Sequence, residues 1–303
     1  MDSMARRGFL VRGAAAAAAI GLPNLFAQEA KSPWKVGGFT KVLQDLSYDK
    51  TAEAAVQVGW DGIECPVRAK GHVLPERVDE DLPRMAEALK AKNLEILALA
   101  TDIRAADEPL TEKVLRAGAK AGVRLYRLGA MRYKEGIPIP HQLDEFRAKL
   151  KGLAALNREL GVTGLLQNHS GNGYVGSAMW DLHELIRDLD PKALGVHFDI
   201  GHATVESGLS WPTAFALLKD RIGAVIVKDF YWKHTPGEGG KTVWVQIGRG
   251  TISPKFFPML KSSGFRGPLT MQFEYPWEGG DALEIRLKAL REDNDKLREW
   301  LKL

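Results

Sequence analysis

From residue 35 to the C-terminus, short apolar runs of strand length alternate with longer amphipathic stretches, with no linker or low-complexity tract between them. That rhythm constrains the fold most, because parallel strands need a crossover between them and a helix is the usual crossover. Strand candidates fall at 35–40, 62–66, 95–101, 124–129, 164–169, 195–200, 223–229 and 268–274. Helical patterns lie at 48–58, 82–92, 111–121, 143–160, 180–189 and 282–301. Gly59, Gly122, Gly161 and Gly264 stand just before the next strand, where a helix ends in a left-handed cap. Eight such units in about 270 residues predict an α/β chain folded as one (β/α)8 TIM barrel. An open doubly wound sheet is the competitor, but no Gly-x-Gly-x-x-Gly follows the first strand. Gly248-Arg249-Gly250 resembles a phosphate loop, yet it precedes no helix directly.

The 303 residues are 45% hydrophobic and carry 42 Lys+Arg against 38 Asp+Glu, enough apolar material for a large core and too little net charge for disorder. Acids and bases are interleaved, with no Lys/Arg stripe flanked by aromatics, so nucleic acid is not expected as a partner. Cys65 is the single cysteine, which excludes an intramolecular disulfide and a thiolate metal cage and reads as a small buried residue.

Arg6-Arg7-Gly8-Phe9-Leu10 precedes an uncharged, alanine-rich run from residue 13 to 23 that is too short to span a bilayer. Leu25-Phe26-Ala27 offers a cleavage site. The segment 1–27 resembles a Tat-type signal peptide, which implies export to the periplasm or beyond and a mature chain, 28–303, with no membrane attachment. The mature chain keeps 39 bases and 37 acids and is nearly neutral. Pairing of two copies through the helix at 282–301, which has apolar and charged faces, is left open.

Chemistry in a barrel of this kind belongs at the C-terminal strand ends. There the polar residues gather: Gln167 and His169 on the fifth strand, His197 and Asp199 on the sixth, and Gln272 and Glu274 on the eighth, each pair on one face. Glu64, Arg127 and Lys228 end the second, fourth and seventh strands. So many ionisable groups at one mouth would be costly to bury without a substrate or metal. Asp229 points away from Lys228 and reads as a structural cap or pair. Trp34, Trp60, Trp211, Trp244, Trp277 and Trp300 read as packing.

At Gly62-Ile63-Glu64, Leu166-Gln167-Asn168-His169, Phe198-Asp199-Ile200-Gly201-His202-Ala203, Val227-Lys228-Asp229 and Phe273-Glu274-Tyr275, the chain resembles the xylose-isomerase-like barrel superfamily of sugar isomerases, epimerases and endonuclease IV-type enzymes. The resemblance implies a divalent metal held by a Glu, an Asp, a His and a Glu ending strands five to eight. Asp199 and Glu274 match, whereas Gln167 replaces the first Glu and Ile226 stands where the His is expected. A site of Gln167, Asp199, Glu274 and a compensating His202 or His169 is the set left to hold Mn²⁺, Mg²⁺ or Zn²⁺.

The reaction that the resemblance implies is proton abstraction next to a carbonyl. In that scheme Glu274 or His169 is the base, Lys228 and the metal stabilise the enolate, and His202 is an acid. Export favours an unphosphorylated sugar or keto-glycoside and disfavours DNA repair. Glu64, His72, Arg127, Arg132, Tyr133, His197 and Trp232 are the residues expected to bind it, through aromatic stacking and hydroxyl contacts. An isomerase or epimerase fits, as does a lyase eliminating the aglycone of a keto-glycoside. A non-catalytic sugar-binding barrel that has lost its metal is the reading from a different class.

Overall fold

The computed structural model describes residues 34–237 and 239–302. The segment expected to direct export lies outside them. Strands β1 (Val36–Phe39), β2 (Gly62–Val67), β3 (Glu95–Thr101), β4 (Leu125–Arg127), β5 (Thr163–Gln167), β6 (Leu194–Asp199) and β7 (Ile222–Val227) run in chain order. After β8 (Asp229–Thr235) and β9 (Gly239–Val245), β10 (Leu269–Met271) pairs with both β7 and β1 and closes an eight-stranded parallel barrel. The predicted (β/α)8 barrel is thus observed, with β10 as its eighth strand. The strands are buried on both faces, between the barrel interior and the helix layer, and β1 and β7 carry no ionisable residue.

Helices α1 (Tyr48–Val58), α2 (Val78–Lys90), α3 (Thr111–Lys120), α4 (Ile139–Leu160), α5 (Trp180–Ile186), α6 (Ile200–Ser207), α7 (Trp211–Leu218), α8 (Phe256–Ser262) and α9 (Leu283–Leu301) cover the barrel. None of the described helices is long and apolar enough to cross a membrane. Gly59 and Gly161 cap α1 and α4 at φ 85° and 64°, as their sequence positions predict. Helices α6 and α7 had no counterpart among the expected patterns, whereas α8 ends just before Gly264, as expected of a helix preceding the last strand. The β6 run was expected to continue through Ile200, but Asp199 turns it into α6 by accepting the amide of His202 as an N-cap. Cys65 is buried in β2, and burial pushes its thiol up to about 12.

The other departure is the antiparallel hairpin β8–β9, which leaves the mouth directly after Lys228. Its base is held by Asp229, whose carboxylate accepts the amides of Phe230, Gly248, Gly250 and Ile252 at 2.8–3.0 Å. The phosphate-like loop is therefore already occupied by an internal anion, and a Cβ on Gly250 would collide with it. The structural role expected of Asp229 is what the geometry shows.

Asp293 on α9 fastens the end of the same loop, accepting from Ile247 N at 2.8 Å and Tyr275 Oη at 2.6 Å. Burial outweighs both bonds and raises its carboxyl from 3.8 to about 7. A raised folded-state value means stability that is complete below pH 3.8 and lost as pH rises through about 7. Asp293→Asn, neutral at every pH, should gain melting temperature over wild type progressively from pH 4 to 7 and plateau above. A gain that is flat in pH would count against this assignment.

Candidate active site

The C-terminal ends of the barrel strands surround a cavity of about 260 Å3. Its wall includes Phe39, Lys41, Arg68, Asp102, Arg127, Gln167, His169, Gln272 and Glu274. Beneath this wall the polar side chains form a continuous chain across the barrel. Thr270 Oγ1 donates to Glu64 Oε2 at 3.0 Å, and Arg127 Nε donates to Glu64 Oε1 at 2.9 Å. Arg127 Nη1 continues to Gln167 Oε1 at 3.1 Å, and Gln167 Nε2 donates to Asp199 Oδ2 at 2.9 Å. The amide orientation of Gln167 follows from its neighbours, since the reverse would set N–H against guanidinium and carbonyl against carboxylate.

Glu64 is fully buried. Burial by itself would raise its carboxyl, but the charges of Arg127 and His197 and the bonds from Arg127 and Thr270 hold it below its ordinary value. It therefore orients Arg127 from behind and is not positioned to touch a ligand.

The next link is Lys228, whose side chain is 2% exposed. Its ammonium lies 2.7 Å from His202 Nε2, 3.2 Å from Glu274 Oε1 and 3.3 Å from Asp199 Oδ2. An ammonium has three protons and no lone pair, so these three acceptors saturate it. The face of Trp244, 4.5 Å away, covers it. Trp244 was expected only to pack, and it does more than that.

The residues expected to hold a divalent metal do not fit one. The carboxylates of Asp199 and Glu274 converge on an ammonium instead. Asp199 Oδ1 is committed to the amide of His202 at 2.9 Å. Gln167 turns its carbonyl to Arg127 and its N–H toward Asp199. Ile226, in register with Asp199 and Thr270, is buried and offers no donor. Among the described residues no three His, Cys, Asp or Glu side chains form a metal-binding group. His202 does not fit its expected role as acid or ligand either. Burial and the charge of Lys228 hold it well below its ordinary value, and Nε2 must be the unprotonated nitrogen that accepts from Lys228. Its Nδ1 then donates to Ser170 Oγ at 2.7 Å.

Gly201 allows this packing, because a Cβ there would lie 2.8 Å from both Lys228 Cγ and Lys228 O. Gly201→Ala should cost about 1–3 kcal/mol and displace Lys228. Thermal unfolding checks this, and an unchanged melting temperature would contradict it.

His169 is the histidine on the cavity wall. Its ring is clasped between Tyr174 and His202, with both centroid distances 4.1 Å. Nδ1 lies 2.8 Å from Ser170 O, an acceptor only, so Nδ1 carries the proton and Nε2 is the free base. Nε2 has no hydrogen-bond partner among the described residues. Burial, followed by the charge of Lys228, lowers the pKa of His169 despite the Ser170 bond, which keeps the ring neutral near pH 7. Glu274 uses only Oε1 on Lys228, and Arg127 Nη2 is similarly without an acceptor among the described residues.

Several residues expected to bind substrate lie elsewhere. His197 is fully buried below the mouth, near Thr270 Oγ1 at 3.5 Å, and burial lowers it to about 4. His72 pins the loop before α1 through Thr51, Leu46 and Thr40. Tyr133 bonds Asp181 at 2.8 Å and packs on Phe146. Trp232 is exposed on the hairpin and does not line the cavity. Arg132 stacks on Tyr174 at 3.6 Å and so supports His169 indirectly. Sequence reasoning missed Lys41, Arg68, Asp102, Ser170 and Tyr174. Arg68 and Asp102, each one residue past the end of its strand, β2 and β3, carried a strand-end signal.

Residues 52–301 match the family described as xylose isomerase-like TIM barrel. An uncharacterized protein of Methanocaldococcus jannaschii is 26% identical over 163 residues, 53% of this chain and 54% of that protein. The chain thus spans about half the length of the curated relative it matches. A D-tagatose 3-epimerase-like protein superposes with a TM-score of 0.68 at 17% identity, over 88% of this chain and 97% of its own. The 3-keto-D-glucoside 4-epimerase from E. coli gives 0.67 at 15% identity, over 88% and 99%. A xylose isomerase-like TIM barrel protein from Mycobacterium smegmatis in complex with magnesium gives 0.64 at 14%, over 88% and 98%. At these identities the likeness is one of fold.

Proposed function

The chain belongs to the xylose isomerase-like TIM barrel family, and from that premise we propose a sugar-modifying enzyme that removes a proton next to a carbonyl without a metal in its reacting set. The observation that carries this reading is the neutral, clasped His169 with an unprotonated Nε2 at the cavity wall. Nε2 takes the proton from the carbon beside the carbonyl, and the C–H electron pair becomes the C=C of an enolate. The carbonyl π pair moves to oxygen, where the open Nη2 of Arg127 stabilises the charge. Glu274, held through Oε1 by Lys228, has Oε2 left to move a proton between the two oxygens. Return of the carbon-bound proton to the neighbouring carbon gives an isomer. Departure of a leaving group from the next carbon turns the same enolate to elimination.

The relatives with similar folds include proteins described as acting on a keto-glucoside or resembling a tagatose epimerase, which supports a sugar or keto-glycoside as substrate. Export rests on the twin-arginine segment alone. The test is NMR of ketoses and keto-glycosides incubated with the protein in D2O. The expected result is enzyme-dependent loss of the signal from a proton next to the carbonyl. Binding of such a sugar with neither exchange nor elimination would favour a non-catalytic sugar-binding barrel.

A further inference from the structure

The cavity wall has more hydrogen-bond donors than the chain has acceptors for them. Arg68 lines it half-buried, and its guanidinium has neither a hydrogen bond nor an ion pair among the described residues. It lies 5.3 Å from the centroid of the Phe39 ring, and Arg127 lies 5.4 Å from the same centroid, so one aromatic ring carries two guanidinium groups. Lys41, also on the wall, is unpaired among the described residues. The side-chain amide nitrogen of Gln272 is buried there with no acceptor. Asp102 is on the wall but forms no ion pair with Arg68 among the described residues. Arg127 and Glu274 are already matched by Glu64 and Lys228. Because Lys228 also answers Asp199, the formal charges of the site balance, Lys41, Arg68, Arg127 and Lys228 against Glu64, Asp102, Asp199 and Glu274, and what is left is a guanidinium, Arg68, with no acceptor among the described residues.

A half-buried guanidinium beside a like charge is unfavourable unless a ligand anion answers it. Burial, and next the charge of Arg127, lowers the pKa of Arg68 by more than the charges of Asp102 and Glu64 raise it. We propose that Arg68, supported by Lys41, binds the carboxylate of an acidic sugar, making a uronate or a related sugar acid the substrate class of this cavity. The planar fork of Arg68 matches the two oxygens of a carboxylate, and a site whose own charges balance takes a monoanion at less cost than a phosphate dianion. A cavity of about 260 Å3 suits one such monosaccharide. This assignment rests on the sugar-enzyme reading and narrows it.

Calorimetric titration of the protein with matched pairs, D-glucuronate against D-glucose and D-galacturonate against D-galactose, tests it, with D-glucose 6-phosphate as the competing anion. The uronates should bind about tenfold or more tightly than their neutral partners, with the difference shrinking as salt is raised. In Arg68→Met the uronate-to-aldose affinity ratio should fall toward one, and Arg68→Lys should fall between. Because Arg68 makes no hydrogen bond or ion pair among the described residues, and methionine can keep the contact with the Phe39 ring, its substitution should leave the melting temperature nearly unchanged. Neutral sugars bound as tightly as uronates, or a ratio unaffected by Arg68→Met, would overturn the carboxylate assignment and leave the sugar reading standing. Tighter binding of the sugar phosphate would overturn it in favour of a phosphate site. Absence of binding by any sugar would overturn both.

Discussion

Lys228→Met is expected to destabilise the protein by about 3–5 kcal/mol, because it leaves Asp199 and His202 buried without the cation they face. For a chain of this size that corresponds to a drop in melting temperature of roughly 5–9 °C. Methionine keeps most of the volume, so lost packing is a minor part of the change. Glu274 is more exposed and loses only its anchor, which should reduce any proton exchange as well. The informative comparison is Lys228→Arg, which keeps the charge but replaces a compact ammonium enclosed by three acceptors and the Trp244 ring with a larger planar fork, and should recover little. If Lys228→Met melted like wild type, the ammonium would not be the element that holds the mouth together.

His169→Gln is expected to lower exchange of the carbonyl-adjacent proton by about 10²–10⁴-fold, the usual size of a general-base contribution, with little change in stability. Glutamine can still bond the carbonyl of Ser170 but has no base of comparable strength. The pH profile of wild type should carry a second signature. Since the histidine pKa is lowered, the neutral base persists below pH 6.5, and the acid limb of the rate should fall at lower pH than an ordinary histidine would give. Full exchange in His169→Gln would remove His169 as the base, and an acid limb above pH 6.5 would contradict its lowered pKa.

The barrel was legible because its signal is periodic: eight apolar runs, the glycine caps at Gly59 and Gly161, and the exact extent of α1 can all be read without tertiary information. The hairpin was not, although the aromatic run around Phe230-Tyr231-Trp232 and the Pro236-Gly237 turn are strand and turn signals. They follow β7 immediately, where a barrel pattern leads the reader to expect a loop and helix. Helix α6 was hidden for a related reason, since Asp199 serves at once as strand end and helix cap.

In the site, strand spacing brought Arg127, Gln167, His169 and Glu274 to the cavity, but it does not say what each atom faces. Glu64 on β2 and His197 on β6 lie at the depth of the barrel interior, where side chains are sealed rather than open. The loop residues His72 and Tyr133 had no periodicity to place them, and Trp232 belongs to the unforeseen β8. Most tellingly, Gln167 and Ile226 signalled an altered ligand set, yet only coordinates reveal that Lys228 bridges the remaining carboxylates.

That bridge is the central claim, and elemental analysis of the purified protein tests it most directly. Wild type and Asp199→Asn would be dialysed against Mn²⁺, Zn²⁺ or Mg²⁺ and then against metal-free buffer. A site closed by the Lys228 ammonium predicts far less than one equivalent of any of these metals in both proteins. About one equivalent in wild type, lost in Asp199→Asn, would contradict it and show that Lys228 yields its place to a metal.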